Sequence, residues 1–189
     1  MAIAILNPAS STTNSNWDSS DVTELVQGET SNTWVTTANN AELIVNLSDF
    51  DNTGVASIDQ IAVVLVGRYA GRSGSWTAWT RITTSAGTYN ENLSIPAGRT
   101  ASTITGTVRT TSDGSAAWTD GNLDEMTLRV YSPDCTTLGQ MVQYYIKVQY
   151  TETVAATVAT VNGVAEASIA TIKGVAHANI AEINTVTFD

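Results

Sequence analysis

What most constrains this chain is a series of short runs patterned for strands, each closed off by turn chemistry. Residues 41–47 (AELIVNL) alternate apolar with polar, 58–66 (IDQIAVVLV) are nearly continuously apolar, and 76–84 (WTAWTRITT) alternate again. Residues 92–95, 102–110, 125–132 and 141–151 (MVQYYIKVQYT) complete the series. A period of two sends successive side chains to opposite faces of a sheet, so each run can bury one face and solvate the other. Between them lie Asp51-Asn52-Thr53-Gly54, Gly71-Arg72-Ser73-Gly74, Pro96-Ala97-Gly98, Ser112-Asp113-Gly114 and Ser132-Pro133-Asp134, which are turn formers by backbone geometry. Such strands without a convincing amphipathic helix predict an all-β, antiparallel, jelly-roll-like sandwich over residues 1–151. One short helical turn is expected in 117–126 (AWTDGNLDEM), with Asp120 as its cap, Asp124 and Glu125 in a first turn, and Leu123 and Met126 sharing a face.

Composition agrees with that reading and narrows the partners. A chain of 189 residues is long enough for one principal domain plus an appendage. Charged residues are 14% of it, against about a quarter in an average domain, while Thr, Ser, Asn and Ala are abundant, so the exposed faces use hydroxyls rather than charges. The formal charge is −10, and the eight Lys and Arg are spread singly from Arg68 to Lys173. That spread offers no basic stripe to a phosphate backbone, which argues against nucleic acid. No apolar run reaches the roughly 18 to 20 residues of a spanning helix, so no membrane partner is expected. The opening MAIAILNP has no positively charged region, and no export signal is expected there. The single cysteine, Cys135, excludes an internal disulfide framework, fits a reducing cytoplasm, and reads as a small residue at a turn.

Residues 152–189 differ in kind. Val161–Thr171 aligns over Ile172–Glu182 with an 11-residue period: Asn162-Gly163 over Lys173-Gly174, Val164-Ala165 over Val175-Ala176, Ile169-Ala170 over Ile180-Ala181. Repeated units of this size cannot bury an apolar face alone and must stack. A helical reading places Val158, Val161, Ala165, Ile169, Ile172, Ala176, Ile180 and Ile183 on one stripe of a coiled coil. Two glycines inside that stripe, each costing about 1 kcal/mol, and the β-branched load oppose it. The β reading makes Asn162-Gly163 and Lys173-Gly174 tight turns between strands 164–172 and 175–183 and is preferred, because Asn-Gly is a strong hairpin signal. Val161, Val164, Ile169, Ile172, Val175, Ile180 and Ile183 are the expected oligomerisation or docking residues, most simply in a homotrimer.

Histidine is absent from the first 176 residues, and His177 falls where the other repeat has Glu166, a solvated position. Ser-His-Asp and Cys-His arrangements therefore cannot be built from one chain, nor can a His-ligated zinc site, and the expectation is a non-enzymatic protein without a cofactor. Carboxylate pairs exist at Asp49/Asp51, Asp120/Asp124 and Asp18/Asp21, all in turn-like segments where capping backbone amides is the default role. Asp49 and Asp51 are calcium candidates, since DFDNTG echoes the start of a calcium loop, although its twelfth position is Gln60 rather than Glu. Five tryptophans raise a sugar-binding possibility. Trp76 and Trp79 are the candidate glycan contacts; three apart on a strand, they point to opposite faces, and only one can be in the core.

The stretches LNPASSTTNSNW, AAWTDGNLDEMTLRVYS and QMVQYYIKVQY, with the tail VNGVAEASIATIKGVAHANIAEINTV, resemble the small β-sandwich modules of tailed-bacteriophage virion proteins and their NGVA-type repeats. The resemblance implies a structural protein of the virion, either a capsid decoration protein or a head-fibre or tail-fibre module. Such a protein would be assembled in the host bacterial cytoplasm and would contact copies of itself and other virion proteins such as the major capsid protein. It implies no catalytic residue. The alternative is a carbohydrate-binding module touching glycans, host surface glycans included, through exposed aromatics; a carboxylate-pair glycosidase using Asp120 and Asp124 ranks third.

Overall fold

The alternating runs assemble into two antiparallel sheets that face each other across one apolar core. The computed structural model describes residues 1–18, 21–28, 34–71, 73–112, 114–133 and 139–153, together with the backbone of 160–161, 164–165, 171–172 and 175–176. One sheet comprises β1 (Ala2–Leu6), β3 (Trp34–Val35), β5 (Val55–Tyr69), β8 (Ser102–Thr105) and β10 (Gly139–Glu152), in the order β1-β10-β5-β8 with β3 also on β10. The other comprises β2 (Pro8–Ser15), β4 (Ala41–Leu47), β6 (Ser75–Thr83), β7 (Thr88–Pro96) and β9 (Thr127–Ser132), in the order β2-β4-β9-β6-β7. The fold is an all-β, jelly-roll-like sandwich, as the alternation predicts. Apart from the β6–β7 hairpin, strands consecutive in sequence divide between the sheets: β1 and β2 are separated only by Asn7, whose backbone accepts from Ser48 N at 2.8 Å and whose side chain accepts from Gln27 N at 2.9 Å.

Burial follows the period-two pattern. On β4, Ala41, Leu43, Val45 and Leu47 are buried; on β6, Trp76, Ala78, Thr80 and Ile82. Leu128 and Val130 of β9, Leu93 and Ile95 of β7, and Ile61, Val63, Leu65, Tyr144, Ile146 and Val148 of the opposite sheet join them in one cluster. Each large side chain withdrawn from water contributes about 1.5–3 kcal/mol, which makes this layer the main source of stability. Tyr144 crosses the core: its ring is fully buried and its hydroxyl donates to Arg129 O of the facing sheet at 2.6 Å. Gly67 of β5 is required by close approach, since a Cβ there would meet Gln140 O at 2.5 Å, beside the register shift between Met141 and Gln143.

The structure extends several sequence readings and corrects others. β5, β7 and β10 run longer than their apolar runs, whereas β8 stops at Thr105 and the 106–110 part of that run gives only a bridge from Arg109 to Ile61. The helical turn is real, α1 (Asp120–Asp124), but its cap is Thr119 rather than Asp120: Thr119 Oγ1 accepts from Asn122 N while Asn122 Oδ1 accepts from Thr119 N. This reciprocal capping box satisfies two backbone donors. Leu123 and Met126 are both buried.

Residues Met1–Glu152 and Thr153–Asp189 are separate compact units. In the second, β11 (Thr160–Val161) pairs antiparallel with β12 (Val164–Ala165), and β13 (Thr171–Ile172) pairs with β14 (Val175–Ala176). The two pairs have the same register one 11-residue period apart, so the described residues of the appendage are β-paired, as the β reading expects, rather than helical. Longer strands are expected from Val164 and Val175 onward, and their continuations over 166–170 and 177–183 lie outside the described residues. Val161, Val164, Ile172 and Val175 lie in the described pairs, while Ile169, Ile180, Ile183, Cys135 and His177 lie outside the described residues.

Candidate functional site

The outward face of the β2-β4-β9-β6-β7 sheet carries an aromatic and cationic patch that pairing register alone assembles. Across β4, β9, β6 and β7 one row reads Glu42, Tyr131, Trp79, Asn92, and the next reads Ile44, Arg129, Arg81, Asn90. Adjacent strands lie about 4.8 Å apart, so four strands present a plate about 14 Å wide. Trp79 sits near the middle of that plate on an interior strand. It is 46% exposed, and no other aromatic residue is exposed among the described residues.

Trp76, the second candidate aromatic, has the opposite fate. It is 3% exposed, donates through Nε1 to Ser132 Oγ at 2.9 Å, and meets Trp17 edge-on at 6.0 Å. A buried indole N–H needs such an acceptor, and Ser132 supplies it from the end of β9. Of the two tryptophans, only Trp79 can offer its ring to a ligand.

Trp79 is braced rather than loose. Its ring lies 5.7 Å from that of Tyr131 at an interplanar angle of 50°. The Tyr131 hydroxyl donates to Asn40 Oδ1 at 2.6 Å, and Asn40 holds the left-handed backbone conformation (φ 60°) that asparagine tolerates better than most residues. The Arg129 guanidinium lies 4.9 Å from the Tyr131 ring centre, and its Nε donates to Glu42 Oε1 at 2.5 Å. Arg81 Nε donates to Asn90 Oδ1 at 2.8 Å. The patch thus combines an exposed indole, two guanidinium groups and side-chain amides, a set suited to stacking and to planar hydrogen bonding.

The carboxylate candidates are scattered among backbone and amide donors. Asp124 Oδ1 accepts from Phe50 N at 2.9 Å and Asp120 Oδ2 from Asn52 Nδ2 at 2.6 Å, so α1 pins the 48–54 loop. Asp51 accepts from Thr53 N at 3.0 Å, and its bonds to Thr53 hold its carboxyl below the usual aspartate value; Asp49 is exposed in the same loop. Asp18 accepts from Val35 N at 2.7 Å, and Asp21 caps a 3-10 turn at Val22–Leu25. Among the described residues no group of three or more His, Cys, Asp or Glu is placed to hold a metal, so Asp49 and Asp51 gain no further acidic ligand there. No helix among the described residues is long and apolar enough to cross a membrane.

Comparison with known proteins adds little to this geometry. No family model and no curated protein matches the chain. Among solved structures it is similar to one described as "Xyl-CBM35 in complex with glucuronic acid containing disaccharide", at a TM-score of 0.43 and 14% sequence identity, over 79% of this chain and 93% of that one.

The spacing of Trp76 and Trp79 points to one inward and one outward ring. Tyr131, Arg129 and Asn40 were not among the expected site residues. The available signal was the alternation of TLRVYS, where Arg129 and Tyr131 share a face opposite Leu128 and Val130.

Proposed function

We propose that the sandwich is a non-enzymatic saccharide-binding module whose outward β4-β9-β6-β7 face takes the sugar. The observation behind this is the exposed, braced ring of Trp79 in the middle of a sheet face lined mostly by polar side chains. A pyranose has an apolar C–H face and a rim of hydroxyls. Stacked on Trp79, that face leaves water, while amides such as Asn90 and Asn92 are spaced to reach the rim. The experiment is a glycan array probed with the native chain and with Trp79→Ala. Binding by the native chain that the variant loses supports the reading, and a blank array with the native chain overturns it.

A second reading has a separate observation in its favour. Two strand pairs of identical register recur one period apart, and repeated units of 11 residues cannot bury an apolar face alone. This suits a virion structural protein, decorating a bacteriophage capsid or forming a short head or tail fibre, in which the repeat joins copies, most simply as a homotrimer seated on other virion proteins. Avidity would then multiply a weak sugar contact. Light scattering on the full chain and on a chain ending at Glu152 tests it: a trimer and a monomer respectively support self-association through the tail, and two monomers contradict it.

A further inference from the structure

We infer that the saccharide taken by the Trp79 face is anionic, with Arg81 as the residue that meets its acidic group; this rests on the saccharide reading above. Arg81 and Arg129 are direct cross-strand partners on one sheet face. Like charges placed directly opposite each other on a sheet destabilise it. In a chain of formal charge −10 with only eight Lys and Arg, that is an expensive use of two cations, and only one of them is neutralised within the fold. Arg129 is held against the Tyr131 ring and paired with Glu42. Arg81 is exposed, has no ion pair among the described residues, and is anchored only through Nε, by the neutral Asn90.

The consequence is local. Two arginines against one carboxylate leave a single positive charge beside Trp79. Anchoring through Nε orients the guanidinium while its two terminal nitrogens remain without a partner among the described residues, and a guanidinium fork matches a carboxylate or sulfate oxygen pair. Since Trp79 directly precedes Arg81 on the outward face of β6, a sugar stacked on the indole would bring a ring substituent within the reach of that fork. Neutral sugars would use the ring and the amides but leave the charge idle.

Matched probes test this on the full chain by calorimetry: oligogalacturonate, its methyl ester, which keeps the ring but loses the charge, and a sulfated galactan to separate carboxylate from sulfate. The native chain should bind one of the two acidic probes at least about tenfold more tightly than the ester, with affinity falling as salt rises. Arg81→Gln should bring binding of the acid down to the level of the ester, and Arg81→Lys should restore part of the preference. Equal binding of acid and ester, unaffected by Arg81→Gln but lost in Trp79→Ala, would overturn the anionic inference and leave the saccharide reading standing. Binding of none of the three probes would also overturn it, and neutral glycans on the array would then decide the saccharide reading separately.

Discussion

The two faces of strand β6 hold the same side chain three residues apart in opposite roles. Trp76 faces the core, hydrogen-bonded to Ser132 and packed against Trp17. Trp79 faces outward, braced by Tyr131 on a polar sheet surface. Residue type therefore does not decide the role of an aromatic on a sheet; its parity along the strand and the register of its neighbours do.

Substitutions break that comparison from the inside first. Trp76→Ala should cost about 3–5 kcal/mol, a large share of the 5–15 kcal/mol typical of a domain, and thermal denaturation should show a Tm drop of many degrees or an unfolded chain. A Trp76→Ala protein whose Tm stays within a few degrees of the native value would mean that the inner face is less closely packed than described.

A smaller effect is expected at Tyr144, which spans the core to Arg129 O. Tyr144→Phe should cost about 1 kcal/mol at neutral pH. Burial, with the Glu91 charge adding to it and Arg129 opposing, pushes the Tyr144 hydroxyl well above its ordinary value. Because the folded value is raised, this contribution is fully present below the unfolded value of about 10 and is lost as pH rises from there toward the folded one. Denaturant titrations between pH 9 and about 11.5 should show native stability falling more steeply than that of Tyr144→Phe. Parallel curves would contradict the assignment.

The outer face should respond least in stability. Trp79→Ala removes one cross-strand contact and should cost no more than about 1 kcal/mol, leaving the circular dichroism spectrum unchanged. A loss as large as that of Trp76→Ala would make Trp79 a structural residue and remove the basis for a ligand face.

Much of the sandwich was legible because alternation reports burial directly: AELIVNL marks β4 residue for residue, and WTAWTRITT is off from β6 by one residue at each end. β2 was not legible. PASSTTNS has no apolar alternation, because it is an edge strand that pairs only with β4 and keeps only Pro8 buried. β1 and β3 are too short for a period to register. At the site, the outward or inward choice at Trp76 and Trp79 was visible from spacing. The partners of Trp79 were not, because Tyr131 reaches it only through the β6–β9 register, set by long-range pairing. In the tail, the 11-residue period located both described strand pairs.

The most direct measurement is fluorine NMR of the full chain labelled with 5-fluorotryptophan, whose five resonances are assigned by single Trp→Phe changes, titrated with the array-selected glycan. The account predicts that the Trp79 resonance moves on binding while that of Trp76 stays in place. Binding that shifts another tryptophan and leaves Trp79 unmoved would place the sugar elsewhere and contradict it.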